Sequence, residues 1–195
     1  MGKLIYGMLT SLDGYTEDKR GDFTWATPEE PVHEHINELC ASVGTYLYGR
    51  RMYDMMAYWE TADAVPDQPQ VMLDWARQWK MADKVVYSRT LTQARTARTR
   101  IEREFDAESV QRLKASVNHD IGIGGPELAG HAVLAGLVDE LLVTICPVAI
   151  GEGTRFLPPG ARLDLQLIDQ RAFDNGVVVV RYGVRNPESA PPTAP

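Results

Sequence analysis

The chain has 195 residues, 44% hydrophobic and 24% charged, with 20 Lys and Arg against 27 Asp and Glu for a net charge of −7. That length suits one domain around one core, and the acidic balance excludes bulk attraction to nucleic acid or anionic membrane, so an anionic ligand needs a local basic patch. No apolar run reaches the roughly 18 residues of a membrane span, the N-terminus lacks signal-peptide features, and Cys40 and Cys146 sit among apolar neighbours as two free thiols suited to a cytoplasmic protein.

In chain order, Lys3 to Thr10 reads as a strand ending in the turn Ser11-Leu12-Asp13-Gly14, followed by a charged loop over 17–22. Thr27-Pro28-Glu29-Glu30 predicts a helix start, with a Thr cap, Pro in the first turn and acids at the positive dipole end, running to about Ser42. Thr45 to Tyr48 is a second strand, and Gly49-Arg50-Arg51 turns directly into a helix reaching about Trp59. Met52, Met55, Met56 and Trp59 there read as core or pocket lining. A Pro-bearing loop over 61–69 leads to a helix over 71–81 and a strand over 84–87. A strand near 99–104 and a helix over 106–117 capped by Asp106 follow. Asp120 to Ile123 is a buried strand, Pro126 to Ala135 a helix terminated by Gly136, and Glu140 to Ile150 a long apolar strand. Residues 162–169 and 177–184 form a C-terminal antiparallel hairpin. The pattern predicts a single domain over 1–185, with an α/β, mostly parallel sheet flanked by helices and a disordered Pro-rich tail over 186–195.

Three strand-to-helix junctions bear chemistry. At Gly49-Arg50-Arg51, cations oppose the helix dipole, a penalty that an anion held between backbone N–H groups and guanidinium would reverse; a solvated Arg pair is the alternative. At Ser88-Arg89, the start of a stretch with five arginines in fifteen residues, phosphate recognition competes with a merely basic loop. At Gly122 to Leu128, adjacent glycines let a ligand approach backbone at a helix N-terminus, although Glu127 stands where a dinucleotide fingerprint has its third glycine. Ligands of open α/β sheets sit at the carboxyl ends of the parallel strands, and one extended, multiply anionic ligand such as NADPH satisfies all three. Asp13 adds a carboxylate at a fourth strand end, able to orient a substrate or relay a proton, or simply to cap its turn.

Two other readings fail. His33-Glu34-His35 lacks the Pro-Cys-x-x-Cys partner of a zinc deaminase, so no metal is expected, and a short-chain dehydrogenase would need the dinucleotide glycine fingerprint that this chain lacks.

The segments SLDGY (Ser11 to Tyr15), YGRRMYD (Tyr48 to Asp54), VVYSRTL (Val85 to Leu91) and the block from Gly122 to Leu157 occur in an order that resembles the reductase domain of riboflavin biosynthesis, within the dihydrofolate reductase-like superfamily. The resemblance spans about residues 3–184 and is closest to stand-alone bacterial members. It implies a dihydrofolate reductase-like fold with NADPH across the strand ends. Gly49, Arg50 and Arg51 would lie at the cofactor phosphates, Ser88 and Arg89 near the 2′-phosphate, and Gly124, Gly125, Pro126, Glu127 and Leu128 around the pyrophosphate and nicotinamide side. Ser11 and Asp13 would face the nicotinamide and substrate, with Asp13 as the catalytic candidate. Met52 stands where the family usually has Thr, removing one hydroxyl. The helix over 28–42 would face the substrate, with Glu30, Glu34 and Glu38 as candidate acids and no motif choosing among them. The implied activity is hydride transfer to a C=N or C=O bond of a small heterocyclic or sugar-like substrate, pyrimidine- or pterin-like, in a homodimer. The alternative is a non-catalytic NADP-binding accessory or regulatory protein.

Overall fold

A computed structural model describes residues 1–185, so the tail expected over 186–195 lies outside the described residues. The strands are β1 (Leu4–Ser11), β2 (Tyr15–Glu17), β3 (Val43–Gly49), β4 (Asp83–Tyr87), β5 (Thr99–Glu102), β6 (Asp120–Gly124), β7 (Glu140–Cys146), β8 (Thr154–Arg155), β9 (Leu165–Ala172) and β10 (Val178–Val184). The helices are α1 (Glu30–Leu39), α2 (Arg50–Met56), α3 (Gln70–Met81), α4 (Ala107–Ser116) and α5 (Pro126–Leu134).

Eight strands form one sheet in the order β5-β4-β3-β6-β1-β7-β10-β9. The first six run parallel, and β10 pairs antiparallel with both β7 and β9. This is the expected α/β architecture, a mostly parallel sheet ending in an antiparallel hairpin. Alternation along β1 sends Leu4 and Tyr6 into the core beneath α4 and α5, while Ile5 joins Val32 of α1 on the other face. Tyr46, Tyr48, Trp75 and Trp79 fill the space between the sheet and α3. Burying an aliphatic or aromatic side chain on such a face stabilises by about 1.5–3 kcal/mol.

Local chemistry sets the helix ends. Asp106 caps α4, its carboxylate accepting from the Ser109 amide at 3.0 Å. Gly136 follows α5 with φ +67°, and the Leu137 N–H donates back to the Ala132 carbonyl at 3.0 Å, closing the helix in a left-handed C-terminal turn.

Several expected boundaries shift. Helix α1 begins at Glu30 rather than at Pro28, because residues 24–26 form a 3-10 turn whose Thr24 carbonyl accepts from the Thr27 hydroxyl. Pro31, not Pro28, is the proline of its first turn, and the helix stops at Leu39. Strand β7 ends at Cys146 rather than Ile150: Pro147 has no N–H for a strand paired on both sides, and the chain turns there, with Leu12 N donating to Val148 O at 2.7 Å. Helix α2 tightens into a 3-10 turn after Met56, leaving Met56 buried and Met55 exposed. The short antiparallel pair β2–β8 is a feature the sequence reading does not contain.

Cys40 and Cys146 are free, and desolvation raises both thiols, Cys40 to about 12. No described helix is long and apolar enough to cross a membrane. No three His, Cys, Asp or Glu among the described residues gather in a metal-binding group.

Candidate functional site

Strands β4, β3, β6 and β1 are consecutive neighbours in the sheet. Their carboxyl ends carry Ser88-Arg89, Gly49-Arg50, Gly124-Gly125 and Ser11-Asp13 respectively. A strand spacing of about 4.8 Å places the outer two ends about 14 Å apart. The fold thus lines up along one edge the four junctions singled out from sequence.

Gly125 has φ +89° and precedes α5 without offering a side-chain cap. Pro126 has no N–H, so the amides of Glu127 and Leu128 lead the helix at its positive end. Leu128 is buried in the core, whereas Glu127 is exposed. The glycines also serve internal packing. A Cβ on Gly124 would lie 3.0 Å from Tyr48 Cε1 and 3.1 Å from Met52 Cε, and one on Gly125 would lie 3.3 Å from Met52 Cβ. Met52 therefore lies against the glycine pair. A Cβ on Gly49 would meet nothing closer than Leu128 Cβ at 3.8 Å.

The two arginines of α2 diverge. Arg50 reaches toward the β4 end, donating from Nη1 to Thr90 Oγ1 at 2.7 Å and from Nε to Asp54 at 3.4 Å. Arg51 turns toward β2, where its Nη2 donates to both Glu17 oxygens at 3.2 and 3.0 Å. Ser88 is buried, and its Oγ accepts from the Leu91 and Thr90 amides at 3.0 and 3.3 Å, so its hydroxyl shapes the turn.

Most of the arginine-rich stretch is spent on internal contacts. Arg95 pairs with Asp54, Arg98 with Asp83 at 2.9 Å, and Arg100 with Glu102 at 3.2 Å. Arg103 donates to the carbonyls of Ser88 and Leu91 at 3.1 and 2.8 Å, fixing the loop. Arg89 is exposed and its guanidinium has no partner among the described residues.

At the β1 end, the buried Ser11 accepts from Tyr15 N at 3.0 Å. The exposed Asp13 carboxylate accepts from Ile150 N at 3.2 Å and Gly151 N at 2.7 Å, clasping the loop after β7 to the turn after β1. The Ser11 hydroxyl and these amides hold its pKa below the ordinary carboxylate value.

A cavity of about 160 Å³ opens on the α1 face of β1 and β7, and neither Ser11 nor Asp13 lines it. Leu9, Thr144 and Cys146 line it from the strands, Trp25 and Glu29 from the segment before α1, and Asn175 from the β9–β10 turn. The acid at the cavity is Glu29; Glu30, Glu34 and Glu38 do not line it. Trp25, Thr144 and Asn175 escaped the sequence reading altogether. Trp25, three residues before Pro28, is the one available signal.

The RibD C-terminal domain family matches residues 2–179. The chain belongs to this family. Among its relatives, the uncharacterized protein YyaP of Bacillus subtilis is 29% identical over 187 residues, covering 92% of this chain and 94% of YyaP. A solved structure from Shewanella sp. PV-4, described as a riboflavin biosynthesis protein, superposes with a TM-score of 0.72 at 21% identity, covering 94% of this chain and 99% of that one. A pyrimidine reductase-like protein of Corynebacterium diphtheriae gives 0.65 at 16% identity, covering 95% and 92%. The diaminohydroxyphosphoribosylaminopyrimidine deaminase/5-amino-6-(5-phosphoribosylamino)uracil reductase of Thermotoga maritima gives 0.65 at 13% identity, covering 94% of this chain and 57% of its own. The RibD C-terminal-like, dihydrofolate reductase-like fold expected from sequence is the fold observed.

Proposed function

We propose that this chain is an NADPH-dependent reductase acting on a C=N or C=O bond of a small heterocyclic or sugar-like substrate, pyrimidine- or pterin-like. The observation that carries the reading is the alignment of Arg89, Arg50 and the Gly124-Gly125 turn at the carboxyl ends of three adjacent parallel strands. The residues present fit such a cofactor: the leading amides of α5 suit a pyrophosphate, and Arg89 and Arg50 suit a further phosphate. Bound NADPH supplies the hydride. Gly49, Arg50, Ser88 and Arg89 would bind its phosphate-bearing half, and Gly124, Gly125, Pro126, Glu127 and Leu128 the pyrophosphate and nicotinamide side. Arg51 would contribute charge from its pairing with Glu17, and Ser11 and Asp13 would position the turn that faces the substrate.

NADPH is expected to bind at least about tenfold more tightly than NADH, since a charge-assisted contact to phosphate contributes about 1.5–3 kcal/mol. Arg89→Ser should bring the two affinities close together. Fluorescence titration measures both; equal affinities in the wild-type protein would show that no 2′-phosphate is read.

A second reading, an NADP-binding accessory or regulatory protein without turnover, draws on one observation. The Ser11 hydroxyl and two loop amides hold the Asp13 pKa below the ordinary carboxylate value, which disfavours it as a proton donor at neutral pH. NADPH consumption with pyrimidines, pterins and sugar lactones separates the two readings.

A homodimer is part of the proposal. Edge strand β9 is exposed along almost its whole length, and Leu167 and Ile168 are 51% and 52% exposed. An open edge strand that exposes two adjacent aliphatic side chains is a template for pairing, and a second copy is the commonest way to cover it. Light scattering should give twice the chain mass at micromolar concentration, and Leu167→Lys with Ile168→Lys should give the monomer. A wild-type monomer would rule the assembly out.

A further inference from the structure

Apart from Arg89, Arg103 is the one arginine of the basic stretch with no carboxylate partner among the described residues. It follows β5 directly, and the register sets Glu102 opposite Tyr87, the last residue of β4. The Ser88 amide continues that pairing by donating to the Glu102 carbonyl at 2.8 Å, so Arg103 stands beside the turn that follows β4. Its Nη1 donates to the carbonyls of Leu91, Ser88 and Arg89 at 2.8, 3.1 and 3.5 Å. Three carbonyls of one short turn therefore converge on one nitrogen. Both ends of the turn are anchored, since Ser88 and Leu91 are buried and the Ser88 hydroxyl accepts from the Leu91 amide. Arg89 is what the turn presents to solvent. In a trans peptide the carbonyl and the following N–H point in opposite directions. With the Ser88 carbonyl drawn to Arg103, the Arg89 N–H is turned away from it, and neither that N–H nor the Arg89 guanidinium has a partner among the described residues. Arg50 reaches the same turn through the Thr90 hydroxyl at 2.7 Å.

We infer that Arg103 is a positioning residue for cofactor discrimination: it holds the turn after β4 so that the Arg89 amide and guanidinium face a 2′-phosphate. This rests on the reductase reading, whose cofactor preference it assigns in part to a side chain whose Nη1 donors are taken by the turn's own carbonyls. Without Arg103 those carbonyls turn to water, and the peptide between Ser88 and Arg89 is free to rotate. Arg89 then keeps its charge but loses its placement, and a charge-assisted contact to phosphate depends on direction as well as charge.

Arg103→Gln tests the assignment through fluorescence titration with NADPH and NADH and through hydrogen exchange on the free protein. Arg103 is exposed at the end of an edge strand, so the variant keeps its fold. The preference for NADPH, about tenfold or more in the wild type, should fall below about threefold, with NADH affinity changed by less than about twofold. In an Arg89→Ser background Arg103→Gln should lower the preference no further, because it acts through Arg89. With no cofactor present, exchange of the Thr90 and Leu91 amides should quicken by about tenfold or more. Equal losses for both cofactors, an unchanged preference, or unchanged exchange would each overturn the assignment. Additive losses in the double variant would overturn it too, by making Arg103 a phosphate contact in its own right. A wild-type protein without NADPH preference removes the cofactor reading and this assignment with it, whereas a wild-type preference that Arg103→Gln leaves intact removes the assignment alone.

Discussion

Replacing Gly125 by valine is expected to abolish measurable NADPH binding while leaving a folded protein of lower stability. The residue has φ +89°, where an L side chain is strained whatever space surrounds it. Its Cβ would stand 3.3 Å from Met52 Cβ, and the two γ-methyls of valine, stiff about χ1, would have to find room around that contact. Strain of this kind costs about 1–3 kcal/mol, a sizeable share of the roughly 5–15 kcal/mol available to a domain but short of unfolding it. Binding suffers more. The turn precedes the Glu127 and Leu128 amides that lead α5, and a pyrophosphate can use them only if the backbone before them is bare. A loss of about a hundredfold or more in NADPH affinity should therefore accompany a modest fall in melting temperature. Circular dichroism and a fluorescence titration on the same sample measure both. A folded variant that binds NADPH normally would show that the turn serves only Met52 packing. Gly125→Ala separates the contributions, since it keeps the backbone strain and removes the branched bulk.

The range of each interaction decides how much of it is legible in the sequence. The helix that Gly136 ends and the Asp106 cap were legible because each is decided within four residues by a special φ or a side-chain acceptor. The end of β7 is overrun because ELLVTICPVAI is apolar but for Glu140 and Thr144, and periodicity cannot weigh one proline against a run of favourable neighbours. The β2–β8 pair has two or three residues per strand, too few for any period, and forms because Tyr15 meets Arg155 across the fold. The site divides in the same way. The glycine and arginine junctions announced themselves locally. The arginine-rich stretch looked like one basic patch because its acids, Asp54 and Asp83 among them, come from other parts of the chain. The cavity was invisible for the same reason: Trp25, Thr144 and Asn175 converge from three separate segments.

Asp13→Asn should lower turnover by about ten- to a hundredfold and leave NADPH affinity nearly unchanged. The side chain has two oxygens on two backbone amides, Ile150 N and Gly151 N. Asparagine keeps one acceptor and sets an NH₂ against the other amide, so one hydrogen bond is lost and two donors face each other in its place. The loop after β7, which begins at Pro147 on the wall of the proposed substrate cavity, is then released from the turn after β1. A displacement near 1 Å at a reacting centre is enough to cost about a hundredfold in rate. The cofactor contacts on β3, β4 and β6 are untouched. The pH dependence discriminates this positioning role from acid catalysis. The folded pKa of Asp13 is depressed, so the clasp is at full strength at neutral pH and is lost only as pH falls through that lowered value. Titration of Asp13 should therefore leave the kcat/KM profile flat between about pH 5 and pH 8. If Asp13 were the proton donor, its pKa would have to be raised, and the wild-type profile would fall with rising pH in that window, a limb that Asp13→Asn removes. Turnover in Asp13→Asn equal to wild type would instead leave the carboxylate as a turn cap and nothing more.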